Sequence, residues 1–245
     1  MRGRTHCTIG ILASIQASLI FKIPISIFSI IISAIFSLLP DLDESNSTIS
    51  NIFLKKNTSK RLYKILIYLI NILIFFFSIK LNNNFYLSSI VTFVSIFIIE
   101  SKLTHTTLRK LFLSLIFLLL GVCLYLINTK LYIVMFVVLL AIVPWLKHRG
   151  LSHSILAIII IYILLRQIEL ITNIYNLSFW GTVGYASHIF LGDIFTRQGV
   201  PLFYPLVKKN FSLGNLKVGG YFSNIIEIIF IISLMFLIIY SIIKI

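Results

Sequence analysis

Long apolar runs separated by short polar gaps dominate the chain, and their lengths are those of membrane helices. Nine runs stand out, at about 8–21, 24–39, 62–79, 85–100, 107–128, 131–146, 153–171, 178–196 and 223–243. A helix rises about 1.5 Å per residue and the hydrocarbon layer is about 30 Å thick, so runs near 20 residues cross it. The first two runs are shorter, and the Lys22-Ile23-Pro24 break between them predicts a tilted or half-inserted hairpin. The eighth run is less apolar and carries Gly181, Gly184, Ser187, His188 and Asp193. A polar helix in a bilayer is expected to face the bundle interior. The fold class expected is therefore all-α: one integral membrane domain over residues 1–245, a polytopic transmembrane bundle of about nine helices.

Composition supports that picture. Hydrophobic residues make up 59% of the 245 residues and charged ones 11%, with a mean hydropathy of +1.05. Soluble domains are roughly 45–50% apolar and about 25% charged. The net charge is +14, from 21 Lys and Arg against 7 Asp and Glu. Such an excess can signal nucleic-acid binding. Here the basic residues fall in short gaps between apolar runs, where topology signals sit, so no nucleic-acid partner is expected. The partner expected is the lipid bilayer. Cys7 and Cys123 lie far apart and imply no disulfide framework. No small-residue cleavage site precedes the polar 40–46 stretch, so the first segment is expected to be retained.

The densest basic loop holds Lys55, Lys56, Lys60, Arg61 and Lys64. Placing it in the cytoplasm also puts the N-terminus and the gaps around Lys102, Arg149 and Arg197 inside, with few cations in the opposite gaps. Nine crossings give a cytoplasmic N-terminus. The same topology gathers the candidate chemistry at one level. His6 begins the first helix there, and Asp41 and Asp43 close the second. His105 sits in the third inner gap with Glu100 near it, His148 and His153 flank the next, and His188 and Asp193 lie toward the inner end of the eighth helix.

Four of the five histidines follow a hydroxyl residue: Thr5-His6, Thr104-His105, Ser152-His153 and Ser187-His188. Ser or Thr ahead of an apolar run is a good N-cap, which would put each imidazole in a first helical turn. The stretch from Lys102 to Leu108 also echoes that from Gly150 to Leu156, so the hairpin at 85–128 reads as a copy of the one at 131–171. A single histidine in an apolar helix is ordinarily a hydrogen-bonded contact, and Asp-Leu-Asp after a helix is ordinarily a solvated turn. Their co-location argues for a site. Imidazole nitrogens and carboxylate oxygens are ligands for a divalent metal: zinc first, with manganese or iron as alternatives. His6, Asp41, Asp43, His148, His153, His188 and Asp193 are too many for one tetrahedral ion and suit two about 3.5–4 Å apart. His188 and Asp193 are five apart, which on an ideal helix is about 140° of rotation, so both can serve one ion only if Gly192 loosens the turn.

These motifs together resemble the YdjM-like family of membrane-bound metal-dependent hydrolases. The resemblance rests on Arg4-Thr5-His6, on Leu39-Pro40-Asp41-Leu42-Asp43 and on Lys147-His148-Arg149-Gly150-Leu151-Ser152-His153-Ser154. It also rests on Gly184 to His188 running on to Asp193, Thr196, Gly199, Pro201 and Pro205. The order and spacing match over residues 1–50 and 144–206. Two positions depart from the pattern: His188 and Asp193 are five apart instead of four, and Glu44 stands where a histidine often follows the acidic pair. The resemblance implies an inner-membrane protein and carries over the same seven ligands.

The resulting expectation is a metal-dependent hydrolase acting at the cytoplasmic membrane face on an amphiphilic or lipid-phosphoester substrate. Asp41 or Asp43 would bridge metals or act as base, Arg149 would hold an anionic group, and Glu100 and His105 could line the site. The alternative is a metal-ion or small-solute transporter using the same His/Asp cluster.

Overall fold

The computed structural model describes residues 2–244. Each of the nine apolar runs forms a helix: α1 (Gly3–Phe21), α2 (Ile27–Leu38), α4 (Lys56–Asn82), α5 (Phe85–Lys102), α6 (His105–Leu126), α7 (Leu131–Ile142), α8 (Ile155–Thr172), α9 (Leu177–Ser187) and α10 (Tyr221–Lys244). A short helix, α3 (Thr48–Phe53), follows the polar stretch after α2. Helices α4, α5, α6, α8 and α10 are long and apolar enough to cross a membrane. Their outward faces carry large apolar side chains, such as Phe76, Phe77, Phe93 and Phe97, which is unfavourable in water and natural in lipid.

Helix ends follow local chemistry. Lys22, Asn83 and Asn173 take left-handed conformations at the C-caps of α1, α4 and α8, a stop that satisfies the last carbonyls. Ser26 opens α2 with a reciprocal capping box to Ser29, and Thr104 caps α6. The hydroxyl-before-histidine rule holds at that one start. α8 is capped by Ser154, not Ser152. Ser152 and His153 lie in the 3-10 turn before it, because both side chains are drawn toward Asp43. His6 lies inside α1, which has no side-chain cap, and His188 follows the end of α9.

Small residues let α1, α2 and α9 approach closely. Gly10, Ser14 and Ser18 of α1, Ser29, Ser33 and Ser37 of α2, and Gly181, Gly184 and Ser187 of α9 are all buried. Ser14 and Ser33 hydroxyls lie 2.6 Å apart, and Ser33 Oγ donates to the Gly10 carbonyl at 2.9 Å. A Cβ on Gly184 would stand 2.6 Å from the Ser33 carbonyl oxygen. In lipid there is little hydrophobic gain between helices, so close backbone approach and interhelical hydrogen bonds supply the cohesion. This three-helix unit fixes where α1 starts, α2 ends and α9 ends, and the polar residues meet at that end.

Candidate metal centre

Four pieces of chain supply the cluster. α1 contributes His6, and the 3-10 turn Leu39–Asp43 contributes Asp41 and Asp43. The turn between α7 and α8 contributes His148, Arg149 and His153, and the end of α9 contributes His188 and Asp193. The five-residue gap from His188 to Asp193 is resolved by the backbone. Residues His188–Gly192 form a π-turn, and the Asp193 N–H bonds to the His188 carbonyl five residues back. That wider turn brings positions five apart onto one face, and such bulges favour functional sites. His188 Nε2 lies 3.8 Å from Asp193 Oδ2.

Gly192 serves the site in a second way. A Cβ there would stand 2.4 Å from His6 Cε1, so only glycine leaves room for the His6 ring. His6 stacks on His188 with ring centroids 3.8 Å apart and planes 15° off parallel. His188 Nδ1 lies 2.7 Å from the Ser37 carbonyl oxygen. A carbonyl can only accept, so Nδ1 carries the proton and Nε2 is left with a bare lone pair. That nitrogen faces Asp41 Oδ1 at 3.6 Å.

Three imidazole nitrogens are buried here without a hydrogen bond: His6 Nδ1, His153 Nε2 and His188 Nε2. Leaving one such atom unsatisfied costs about 1–3 kcal/mol. Two of them, His153 Nε2 and His188 Nε2, face Asp193 Oδ2 at 3.4 and 3.8 Å. His153, His188 and Asp193 offer ligand atoms within 4.8 Å of one another, and so do His6, Asp41 and His188. Asp193 links the two groups: Oδ1 is 3.4 Å from His6 Nε2, and Oδ2 is 3.4 Å from His153 Nε2. Tetrahedral zinc with bonds near 2.0–2.1 Å places its ligand atoms about 3.3–3.4 Å apart. The donor set and its spacing therefore fit a divalent cation.

Asp43 sits behind this group. Its Oδ1 lies 2.8 Å from His148 Nδ1; its Oδ2 accepts from Ser152 Oγ at 2.5 Å and from the Arg149 N–H at 3.2 Å, with His153 Nδ1 at 3.4 Å. Four donors thus surround one buried carboxylate, and it is absent from both ligand groups. Burial alone would push the Asp43 carboxyl up, but hydrogen bonds from His148, His153 and Ser152 hold it well below the usual range. Burial likewise opposes charge on His153, yet Asp193 and Asp43 raise it to about 9. His148, less buried, is raised by Asp43 and Glu44 against the same penalty.

Arg149 has φ +55°, the left-handed region that only a tight turn imposes on such a residue. Its Nη2 meets Asp193 Oδ2 at 3.0 Å, while Nη1 donates to Thr196 Oγ1 at 2.8 Å and the Gly199 carbonyl at 3.1 Å. Glu100 and His105 are not brought here. The Ser59 hydroxyl donates to the His105 carbonyl, the charges acting on His105 are those of Lys60, Lys56 and Arg109, and Glu100 acts on Tyr63. Two residues named in the sequence only as a candidate cap and as part of the resemblance serve the site: Ser152 donates to Asp43, and Thr196, in the cavity wall, accepts from Arg149. A cavity of about 740 Å³ opens over Asp41, Asp193, His148 and Arg149.

The family model of the YdjM inner membrane protein matches residues 1–245. The chain belongs to this family. That membership agrees with the five helices able to cross a bilayer and places the protein in the inner membrane. No curated protein and no solved structure matches the chain.

Proposed function

We propose that this YdjM-family protein is a metal-dependent hydrolase of phosphoesters, working at the cytoplasmic face of the inner membrane. The observation that carries the reading is the convergence of His153 Nε2 and His188 Nε2, both buried without a hydrogen bond, on Asp193 Oδ2 at 3.4 and 3.8 Å, with His6 Nε2 3.4 Å from Asp193 Oδ1 and Asp41 3.6 Å from His188 Nε2. His153, His188 and Asp193 would hold one divalent cation, and His6 and Asp41 a second, with Asp193 between them. Bound there, zinc would polarise a phosphoryl oxygen and bring the pKa of a water to about 7.

The chain's own groups divide the remaining work. Asp41 is half-buried and lines the cavity, so its carboxylate is placed to take a proton from an entering water. Asp43 is read as an orienting carboxylate: it holds the Nδ1 side of His148 and His153, leaving His153 Nε2 toward Asp193 and His148 Nε2 toward Glu44. Arg149 lines the cavity and fixes Asp193, its own guanidinium held by Thr196 and the Gly199 carbonyl. A carrier usually binds its cargo near the bilayer midplane. Here His6 lies early in α1 and His188 just past α9, which favours hydrolysis over transport.

The test is metal content of the detergent-purified protein together with phosphoester hydrolysis. Stoichiometric zinc, manganese or iron is expected, with activity abolished in Asp41→Ala/His153→Ala. Absence of metal from protein isolated without chelators, with hydrolysis unchanged in that double variant, would sink the reading.

A further inference from the structure

Four cations stand around the mouth of the cavity: Arg2, Arg4, Arg197 and Lys217. Two come from the start of α1 and two from the loop between α9 and α10, so the fold brings them together. The loop is pinned to itself by the Arg197 N–H, which donates to the Leu216 carbonyl at 3.0 Å, and this sets Arg197 beside Lys217. All four side chains are exposed. Among the described residues, the Lys and Arg side chains paired with carboxylates are Arg149 with Asp193 and Arg166 with Glu169. The rim cations are therefore uncommitted.

Arg149 forms part of the cavity wall with its side chain 8% exposed and its Nε buried without a hydrogen bond. Apart from His148 and the charged groups, the wall is made of Gly3, Asn46, Ser47, Thr48, Thr196 and Gln198, with Leu216 and Val218 as its larger apolar members. Of the carboxylates facing the cavity, Asp41 and Asp193 belong to the metal cluster and Glu44 lies 3.5 Å from His148. What remains at the mouth is a surplus of positive charge and hydrogen-bond donors.

A phosphodiester carries a single negative charge and has both ends of its phosphorus blocked. A terminal phosphate carries about −1.5 to −2 and shows three acceptor oxygens. Several free cations around a donor-lined cavity suit the second. Building on the hydrolase reading, we propose that the cavity takes a terminal phosphate, as in a phosphate monoester or a diphosphate, with Arg2, Arg4, Arg197 and Lys217 drawing it in. In hydrolysis of a monoester, water oxygen bonds to phosphorus, the phosphorus–oxygen bond to the alcohol breaks, and a proton from water ends on the departing alcohol oxygen. The products are an alcohol and orthophosphate.

The experiment uses the full chain in detergent and measures calorimetric binding of orthophosphate, pyrophosphate and dimethyl phosphate, with and without zinc. Arg197→Gln and Lys217→Gln are compared with the parent. At low ionic strength a charge about 6 Å away in water-like surroundings is worth roughly tenfold in affinity for a dianion and about threefold for a monoanion. Each variant is expected to weaken orthophosphate by up to tenfold and dimethyl phosphate by less, with metal content unchanged. Turnover of phosphatidic acid in vesicles, of glycerol 3-phosphate in solution, and of phosphatidylglycerol then identifies the source. Phosphate release from either monoester supports the class and tells a lipid headgroup from a soluble ester. Preference for the diester, or orthophosphate binding indifferent to both variants, would overturn it. If the protein holds no metal but still binds orthophosphate through these cations, the hydrolase reading fails and the phosphate site stands.

Discussion

Replacing Asp43 by Asn tests whether the buried carboxylate orients histidines or binds metal itself. Asp43 accepts at both oxygens: His148 Nδ1 on Oδ1, and Ser152 Oγ with the Arg149 N–H on Oδ2, where His153 Nδ1 also approaches. An amide keeps one acceptor and turns the other into a donor. The better orientation leaves oxygen toward Ser152, Arg149 and His153 and points NH₂ at His148 Nδ1. His148 must then accept at Nδ1, which moves its proton to Nε2, 3.5 Å from Glu44 Oε2, while the effect on the cation passes through His153. His153 keeps its partner but loses the carboxylate charge. Loss of an outer-shell partner lowers metal affinity about 10–100-fold, or about 1.4–2.7 kcal/mol. The assay is competition of Asp43→Asn and parent protein for zinc against a chromophoric chelator, with cobalt absorption reporting ligand number. The expected result is weakened affinity with the cobalt spectrum kept tetrahedral. Unchanged affinity, or a loss of metal as complete as in Asp193→Asn, would refute the orienting role.

Other outcomes follow from the same geometry. His188→Ala removes the one residue common to both ligand groups, so it should lower metal content more than His148→Ala; equal effects measured by atomic emission would contradict the assignment. Gly192→Ala places a methyl 2.4 Å from His6 Cε1 and should displace His6, seen as lost metal with the helix content by circular dichroism retained. Gly184→Val puts a branched side chain against the Ser33 backbone and should lower thermal stability in detergent by separating α2 from α9; overpacking of this kind costs about 1–3 kcal/mol.

Much of this protein could be read along the chain. The nine helices were legible because a bilayer demands long apolar runs with internally satisfied backbones, a constraint that acts on sequence directly. The gathering of His6, Asp41, Asp43, His148, His153, His188 and Asp193 at one end was expected from counting alternate crossings. The ends of segments were less legible. Ser152 and Ser154 are both plausible caps, and the choice between them depended on Asp43, over a hundred positions away in sequence. His105 followed the same local pattern as His153, but no rule of sequence spacing tells which helix start lies beside α9 and which lies beside α4.

What the sequence alone determined was a helical membrane bundle with about nine apolar segments, because hydropathy is a one-dimensional property; a common level for its histidines and aspartates was an expectation built on alternate crossings. The tertiary structure decided how those residues divide. Close packing through Gly10, Ser33 and Gly184 brought α1, α2 and α9 together, and the π-turn carried Asp193 under His188. Burial left His153 Nε2 and His188 Nε2 without hydrogen bonds and facing the same oxygen of Asp193, while four donors enclosed Asp43. Donor direction and tautomer depend on contacts between distant segments, and those exist only once the chain has folded.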